Sequence, residues 1–224
     1  MAIDFNELAN AIVTADQETA VALTKQGVAD GRAAGRDEGE VAKEILNKGL
    51  IGGMDIISEL WTQEKIFIPE VLLSAKAMHA CMGTLRPILE AAKEPPRGVV
   101  VIGTVKGDLH DIGQNIVTMM LKGNGFEVHN IGPNASPEKF MEKAKEVKAD
   151  LVGLSALLTT TMPMQRETIK AFEEAGLLEK MAIMVGGAPV TSDWAEKIGA
   201  DGYAPDAAHA VGLAKMLLED LKTS

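Results

Sequence analysis

The hydrophobic pattern of this chain changes period once, at the charged double-proline segment KEPPR, residues 93–97. Before this segment apolar residues recur at helical spacing, and after it short β-branched runs alternate with helical segments five times. Proline interrupts a helix, so residues 93–97 are predicted to link two domains, residues 1–92 and 98–224. A length of 224 residues agrees with two domains, because a domain typically has about 100 to 150 residues.

Residues 4–92 predict a small antiparallel bundle of about four helices. Two short helices are expected before the glycine-rich stretch at residues 30–40, and a third follows although its own glycines should bend it. The fourth begins with Pro69 in its first turn and is expected to end where Pro87 interrupts the pattern. Phe67, Val71 and Met78, near the start of this helix, are expected to pack in the core.

Residues 98–224 predict an α/β fold with a parallel, five-stranded, flavodoxin-like (Rossmann-like) sheet. The run VVVI at residues 99–102 is typical of a strand buried on both faces. The other predicted strands are 126–131, 151–154, 181–185 and 201–204, and the predicted helices are 111–122, 136–148, 163–175, 192–198 and 207–221. Strict alternation of strands and helices implies a sheet covered on both faces, with right-handed crossovers.

Charge and cysteine content exclude several classes of function. The chain has 22 basic and 32 acidic residues and a net charge of −10, so it has no basic footprint for nucleic acid or anionic membranes. A single cysteine excludes an internal disulfide framework, and the first residues lack the pattern of a secretory signal. No apolar run approaches the roughly 20 residues that cross a bilayer. We therefore expect a cytoplasmic protein with neither nucleic acid nor a membrane as partner.

Polar residues and glycines gather in the loops that follow the first, third and fourth predicted strands. The carboxyl ends of parallel strands meet at one sheet edge, where open α/β folds bind their ligands. These loops, at residues 103–115, 155–161 and 186–190, contain Asp108, His110, Gly113, Ser155, Thr159, Gly186 and Gly187. Bulk packing does not require such a concentration of polar groups and bare backbone, so one binding site is predicted here.

His110 has the most informative surroundings of these residues. Asp108 precedes it by two positions, and a carboxylate on one imidazole nitrogen makes the other a better metal ligand. A zinc site needs three or four ligands, and no partners are evident, so a metal bound here would arrive in a preformed macrocycle. The alternative is a helix-capping Asp108 beside an exposed His110.

Other nucleotide-binding and catalytic patterns are missing from these loops. A Ser-His-Asp hydrolase is disfavoured because Ser155 lies in VGLSALL rather than in G-x-S-x-G. The loop after the first strand also lacks the Walker A ending and the spacing of the dinucleotide fingerprint.

Together these loops resemble the signature of base-off, His-on cobalamin-binding domains, D-x-H-x-x-G, then S-x-L, then G-G. The matching residues are Asp108, His110 and Gly113, then Ser155, Leu157 and Thr159, then Gly186 and Gly187. The segment IFIPEVLLSAKAM at residues 66–78 resembles the helical cap of such proteins. The resemblance covers nearly the whole chain and is closest to corrinoid proteins of multicomponent methyltransferase systems.

The resemblance implies a role for each matching residue. His110 would be the lower axial ligand of the cobalt of cobalamin, with Asp108 and Ser155 hydrogen-bonded behind it as a proton relay. Leu157 and Thr159 would line the slot for the nucleotide tail. The three glycines Gly113, Gly186 and Gly187 would leave room for that tail. The helical half would shield the upper face of the cofactor until a partner displaces it, with Phe67, Val71 and Met78 as candidate contacts if they do not pack in the core.

The function implied by the resemblance is methyl carriage, with methylcobalamin formed during turnover. One donor-specific methyltransferase would methylate Co(I), an acceptor methyltransferase would pass the methyl group to tetrahydrofolate or a thiol, and a reductive activator would restore Co(I). Whether the chain counts as an enzyme is left open, because it would be a non-autonomous subunit. Methylamines, quaternary amines, methanol and methoxylated aromatics are all compatible donors, with O-demethylation weakly favoured. A cobalamin-dependent sensor is the runner-up, and an isolated mutase subunit is the third alternative.

Overall fold

The computed structural model describes residues 3–223, and it confirms the α/β class with a helical bundle followed by a parallel sheet. The chain divides into two compact units. The first extends to Pro95 and includes Gly123–Gly125, and the second comprises Pro96–Lys122 and the residues from Phe126 onward. Among the described residues, none of the helices is both long enough and apolar enough to cross a membrane.

The helical unit consists of four helical rods, each of them either a single helix or several helical segments that follow one another without a break. These are α1 (Phe5–Val13), α2 (Gln17–Ala33), a continuous rod made of α3 (Glu38–Glu44), a π-helical segment (Ile45–Ile51) and α4 (Gly52–Thr62), and finally α5 (Ile68–Ala91). Three helices start on an aspartate whose carboxylate accepts a backbone N–H of the first turn, namely Asp4, Asp16 and Asp37. Such caps satisfy amides that have no partner within the helix.

The glycine-rich stretch at residues 30–40 is mostly helical, contrary to the prediction. The break between α2 and α3 is confined to residues 34–37. A Cβ on Gly31 would come within 2.7 Å of Val41, and a Cβ on Gly49 within 2.5 Å of Leu8. These glycines therefore allow close approach between rods, and the packing gained outweighs their low helix propensity.

The expected end of the last helix at Pro87 is also wrong, because α5 continues to Ala91. Proline removes one helical hydrogen bond and strains the preceding turn. Leu85 and Leu89, one on each side of Pro87, are both buried and belong to one apolar stripe. Burial of this stripe holds the helix together across the proline.

The second unit contains five parallel strands in the order β2-β1-β3-β4-β5, the flavodoxin-like order that places β1 beside β3. The strands are β1 (Val99–Thr104), β2 (Glu127–Asn130), β3 (Leu151–Ser155), β4 (Ala182–Gly186) and β5 (Gly202–Ala204). The helices are α6 (Ile112–Gly123), α7 (Pro137–Val147), α8 (Pro163–Glu174), α9 (Ser192–Ile198) and α10 (Ala207–Thr223). Val101, Val152 and Ile183 pair across the sheet and are fully buried, as expected for central strands covered on both faces.

Strand register brings the predicted loops to one edge of the sheet. Thr104 pairs with Ser155, Ser155 pairs with Gly186, and Gly186 pairs with Ala204. The last residues of β1, β3, β4 and β5 therefore lie side by side, and the loops that follow them leave from a common row.

Candidate functional site

The residue that organises this edge is Asp108, whose side chain is fully buried. One carboxylate oxygen, Oδ1, lies 2.7 Å from His110 Nδ1 and accepts the His110 backbone N–H at 3.1 Å. The other, Oδ2, accepts the Leu157 backbone N–H and the Thr161 hydroxyl, both at 2.7 Å. Asp108 thus joins the loop after β1 to the loop after β3.

These hydrogen bonds decide the charge of Asp108. Burial raises the pKa of the carboxyl, but the bonds from the His110 ring, the Leu157 amide, the Thr161 hydroxyl and the His110 amide together outweigh burial and lower the pKa from 3.8 to about 2. The group is therefore an anion at neutral pH. An anionic acceptor at 2.7 Å fixes the proton of His110 on Nδ1.

The far nitrogen of His110 is left available by this arrangement. The His110 side chain is 53% exposed, and within residues 3–223 its Nε2 atom makes no hydrogen bond. With the proton on Nδ1, Nε2 carries a free lone pair. A buried carboxylate behind an exposed imidazole is the arrangement that orients and strengthens a histidine metal ligand. The described residues contain no group of three or more His, Cys, Asp or Glu side chains arranged for a metal ion.

The hydroxyl on Asp108 belongs to Thr161, a residue that the sequence analysis did not select. Ser155, predicted for this position, is half-buried, and its hydroxyl makes no hydrogen bond to any described residue. Thr159 is exposed, whereas Thr161 is buried. The signal was the triplet at residues 159–161, but a run of threonines does not show which member turns inward.

Gly186 and Gly187 form a stretch of bare backbone at the end of β4. A Cβ on Gly186 would lie 2.9 Å from the Ala204 carbonyl oxygen. Gly187 has φ +126°, a conformation that side chains rarely adopt, and a Cβ there would collide with the Ala156 carbonyl. The two glycines are required by the close approach of β3, β4 and β5, independently of any ligand.

Gly113 is different, because a Cβ at this position would meet nothing within 4 Å. It lies exposed in the first turn of α6, three residues after His110. Leu157 joins the site through its backbone amide, and its side chain is half-buried. The structure therefore brings together Asp108, His110 and Leu157 by direct contact, whereas Ser155, Gly186 and Gly187 are neighbours through strand register.

A second polar cluster braces the ends of β3 and β4. The Gln165 side chain is fully buried, and its amide nitrogen donates to the carbonyls of Leu154 and Gly186 at 2.9 and 3.1 Å. Trp194 Nε1 donates to the Gln165 amide oxygen at 3.0 Å. Gln165 and Trp194 were not selected from the sequence, because a single buried glutamine on a helix forms no recognisable sequence motif.

Large apolar side chains are exposed beside His110. Leu109 is 74% exposed and Ile112 is 76% exposed, and they lie one residue before and two residues after His110 along the chain. In the helical unit Phe67 is 69% exposed, contrary to the expected core position, whereas Val71 and Met78 are buried as expected. Isolated exposed apolar residues are common, but two on either side of an oriented imidazole suit a broad, partly apolar ligand.

Two family models match the chain. Residues 98–212 and residues 4–86 each match a model described as a B12 binding domain, and the first match covers the unit that contains His110. The chain is 45% identical over 214 residues to dimethylamine corrinoid protein 1 of Methanosarcina acetivorans, covering 95% of this chain and 96% of that protein. The chain belongs to the B12-binding corrinoid proteins of methyltransferase systems.

Solved structures agree with this family. The corrinoid protein is similar to a cobalamin-binding protein from Desulfitobacterium hafniense, with a TM-score of 0.78 and 30% identity over 96% of this chain and 99% of that chain. It is also similar to a chain of the methanol:cobalamin methyltransferase complex MtaBC from Methanosarcina barkeri, with a TM-score of 0.79 and 28% identity over 96% of this chain and 79% of that chain.

The residues of this edge fit a corrinoid. His110 presents one free ring nitrogen with its partner nitrogen held by an anion, which is what a single axial ligand requires. Leu109 and Ile112 supply apolar surface beside it. The open space at Gly113 leaves room for a bulky group beside His110. The cofactor assignment therefore agrees with the geometry as well as with the family.

Proposed function

We propose that this corrinoid protein, a methyl carrier of a methyltransferase system, binds the cobalt of cobalamin through His110 Nε2 and receives its methyl groups from a methylamine. The observation that carries the ligand assignment is the free Nε2 atom of an exposed imidazole whose Nδ1 lies 2.7 Å from the buried carboxylate of Asp108. When bound, the corrinoid supplies a cobalt atom that accepts a methyl group in one oxidation state and releases it to an acceptor.

The protein residues hold and move a proton behind this ligand. Asp108 keeps His110 in the tautomer that leaves Nε2 free, and its negative charge would favour the protonated ring whenever Nε2 were not bound to metal. Thr161 and the Leu157 amide hold the opposite carboxylate oxygen, so the carboxylate cannot rotate away from the ring. Ser155, Leu157, Thr159 and the three signature glycines remain proposed contacts of the nucleotide tail.

Relatives favour a methylamine over a methoxylated aromatic as the donor. The similar protein of Methanosarcina acetivorans carries dimethylamine in its name and aligns with 95% of this chain. At 45% identity over this length, the surface that meets a donor methyltransferase is expected to be related. We therefore place dimethylamine first among the donors, ahead of the O-demethylation that the cap segment weakly favoured.

The partners follow from the chemistry of a carrier. The similar chain in the MtaBC complex is crystallised with a methyltransferase, and this corrinoid protein likewise acts with methyltransferase partners. We assign it a dimethylamine-specific donor methyltransferase, a second methyltransferase for a thiol or tetrahydrofolate acceptor, and a reductive activator. Co(I) is strongly reducing and persists only in a reducing compartment, so the cytoplasm is the proposed location.

The ligand assignment is tested by reconstituting the protein with hydroxocobalamin, desalting it, and measuring bound cobalt and the ultraviolet-visible spectrum. Wild type is expected to retain cobalamin stoichiometrically with a spectrum unlike that of the free cofactor. His110→Ala is expected to lose the altered spectrum and to retain less cobalamin. His129→Ala is the matched control, because His129 pairs with Glu127 on β2 and takes no part in the Asp108 network. Identical spectra for wild type and His110→Ala would remove the ligand assignment.

The donor assignment is tested with the reduced, reconstituted protein and purified donor methyltransferases of known specificity. Loss of the Co(I) absorption on addition of dimethylamine and a dimethylamine-specific methyltransferase is the expected result. Methanol or a methoxylated aromatic, each with its own methyltransferase, should leave the Co(I) absorption unchanged. Methylation from methanol or a methoxylated aromatic alone would overturn the methylamine proposal and leave the ligand assignment standing.

A further inference from the structure

The loop that presents His110 is exposed along most of its length. Lys106, Gly107, Leu109 and Asp111 are all exposed, as is His110, and only Asp108 turns inward. The carboxylate of Asp108 fixes the ring and the amide of His110, but it does not hold the backbone that precedes it. A loop with so few buried side chains needs other restraints to keep one conformation.

Besides the turn bond from the Asp108 N–H to the Val105 carbonyl, two restraints come from one residue of the loop after β2. The side-chain oxygen of Asn134 accepts the Gly107 backbone N–H at 2.8 Å, and the Asn134 backbone N–H donates to the Asp108 carbonyl at 2.9 Å. One residue thus holds two of the peptide groups that precede His110, Lys106–Gly107 and Asp108–Leu109. Gly107 has φ +86° and Asn134 has φ +53°, and asparagine is one of the few side chains that adopt this left-handed conformation readily.

Thr104, the last residue of β1, forms hydrogen bonds with the same two loops at the point where they leave the sheet. Its hydroxyl donates to the His110 carbonyl at 2.8 Å, and its backbone carbonyl accepts the Ala135 N–H at 2.9 Å. The loop is therefore tied at both ends, by Thr104 at the strand and by Asn134 at its outer turn. Two side chains from outside β1 and its loop hold this loop: Asn134 holds its backbone at Gly107, and Thr161, from the loop after β3, holds the Asp108 carboxylate.

We infer that Asn134 is a positioning residue for cobalt ligation, which holds the Gly107–Asp108 backbone in the conformation that presents His110 to the corrinoid. Asn134 belongs to none of the three signature segments, and within residues 3–223 no hydrogen bond joins it to His110 or to the edge glycines. It acts through the backbone of Asp108, whose carboxylate independently orients the imidazole. This inference rests on the proposed role of His110 as the axial ligand.

The physical effect is a change of population. If the loop is released, only a fraction of protein molecules present His110 correctly before binding, and the apparent affinity falls by that fraction. Loss of one neutral hydrogen bond changes such an equilibrium roughly three- to tenfold. The effect should therefore appear in binding and in nitrogen coordination, while cooperative unfolding of the domain is retained.

Two variants separate the side-chain acceptor from the backbone conformation. Asn134→Gly keeps the left-handed conformation and removes the oxygen that accepts the Gly107 N–H. Asn134→Asp keeps both, because aspartate also tolerates this conformation and offers a carboxylate oxygen. Both variants are reconstituted with hydroxocobalamin, and the dissociation constant is measured by spectral titration.

Coordination is read directly from the electron paramagnetic resonance spectrum of the Co(II) form. The protein is prepared with ordinary histidine and with histidine enriched in the heavy nitrogen isotope, so that only a histidine ligand changes the hyperfine splitting. Asn134→Gly is expected to weaken hydroxocobalamin binding roughly three- to tenfold and to lower the histidine-coordinated fraction. Asn134→Asp is expected to restore both to within about twofold of wild type.

Wild-type affinity and full histidine coupling in Asn134→Gly would overturn the inference. If that variant does not fold, the inference is tested by hydrogen exchange of the Gly107 amide in the wild-type protein. Gly107 is exposed, so slow exchange of its amide requires the hydrogen bond to Asn134. Unprotected exchange of this amide overturns the inference. An isotope-independent spectrum in wild type would instead show that the His110 assignment itself is wrong, and this outcome is distinct from a failure at Asn134.

Discussion

Buried polar side chains are distributed differently in the helical bundle and in the sheet unit. In the first unit the described residues include three of them, Thr24, Ser74 and Asn124. In the second unit they are Thr104, Asp108, Gln114, Thr118, Thr161, Gln165 and Thr168. Asp108, Thr161 and Gln165 all hold the loops or strand ends at the carboxyl edge. The bundle is therefore stabilised mainly by apolar packing, whereas the sheet unit also has buried polar side chains that hold its functional loops. We call Asp108, Thr161 and Gln165 the polar frame.

Exposed apolar residues complete the comparison. In the bundle they include Phe67, Ile68 and Leu73, near the start of α5, and in the sheet unit they include Leu109 and Ile112, beside His110. Each unit thus exposes a local group of apolar side chains, but only in the sheet unit do buried polar groups support the segment that carries them. Substitutions in the two units should differ accordingly.

The largest effect is expected for Gly187→Ala in the sheet unit. The new Cβ would collide with the Ala156 carbonyl at a φ of +126°, so β3 and β4 must move apart. We expect a loss of about 3 kcal/mol or more in the free energy of unfolding, measured by urea denaturation. Gly113→Ala is the control, because its Cβ meets open space and the change should stay within about 1 kcal/mol. Equal effects at the two glycines would contradict this account.

Met78→Ala should have the next largest effect, in the bundle. Met78 is 2% exposed, and its truncation leaves a cavity among packed helices. The free energy of unfolding should fall by about 3 kcal/mol. Phe67→Ala, eleven residues earlier but 69% exposed, should change it by less than about 0.5 kcal/mol. A large effect of Phe67→Ala on the apoprotein would show that this side chain packs more than its exposure indicates.

Asp108→Asn tests the polar frame through its pH dependence. The folded-state pKa is lowered to about 2, below its ordinary value of 3.8, so the carboxylate contributes stability above pH 3.8, and this contribution disappears as the pH falls through 2. We expect the unfolding free energy of wild type, relative to the variant, to decrease by about 2 kcal/mol across this window. A difference that is constant with pH would show that the Asp108 pKa is not depressed in the folded protein.

Thr161→Val should have the smallest effect of the set. The change keeps the shape of the side chain and removes the hydroxyl that donates to Asp108, so we expect a loss of about 1.5 kcal/mol in unfolding free energy. Thr161→Ser should recover most of this loss. Ser155→Ala, at the residue predicted from the sequence to support the relay, should stay within about 0.5 kcal/mol. The reverse ranking of Thr161 and Ser155 would restore Ser155 as the hydroxyl partner of Asp108.

Sequence patterns predicted the sheet unit closely, because local and tertiary preferences agree there. The run at residues 99–102 is a buried central strand, and the predicted helices at 163–175 and 192–198 match α8 and α9 to within one residue. Ser136 and Thr191 accept N–H groups as helix caps, the role for which these residue types are preferred.

Patterns were less accurate in the bundle, where tertiary packing opposes local preference. Gly31 and Pro87 both weaken a helix in isolation, yet both lie inside helices. Gly31 is accommodated because Val41 fills the space beside it, and Pro87 because Leu85 and Leu89 are buried on each side. Neither partner is visible from the residues next to it in sequence.

The sequence alone determined the order of strands and helices in the second unit, the edge at which the polar loops gather, and the pairing of Asp108 with His110. These features depend on hydrophobic period, on strand ends and on residues two positions apart. The tertiary structure decided which hydroxyl reaches Asp108 and which residue holds the loop from outside. Thr161 and Asn134 are 53 and 26 residues from Asp108, and their contacts depend on strand register and loop conformation. Local patterns carry no information about such distances, since only the packed sheet brings these loops together.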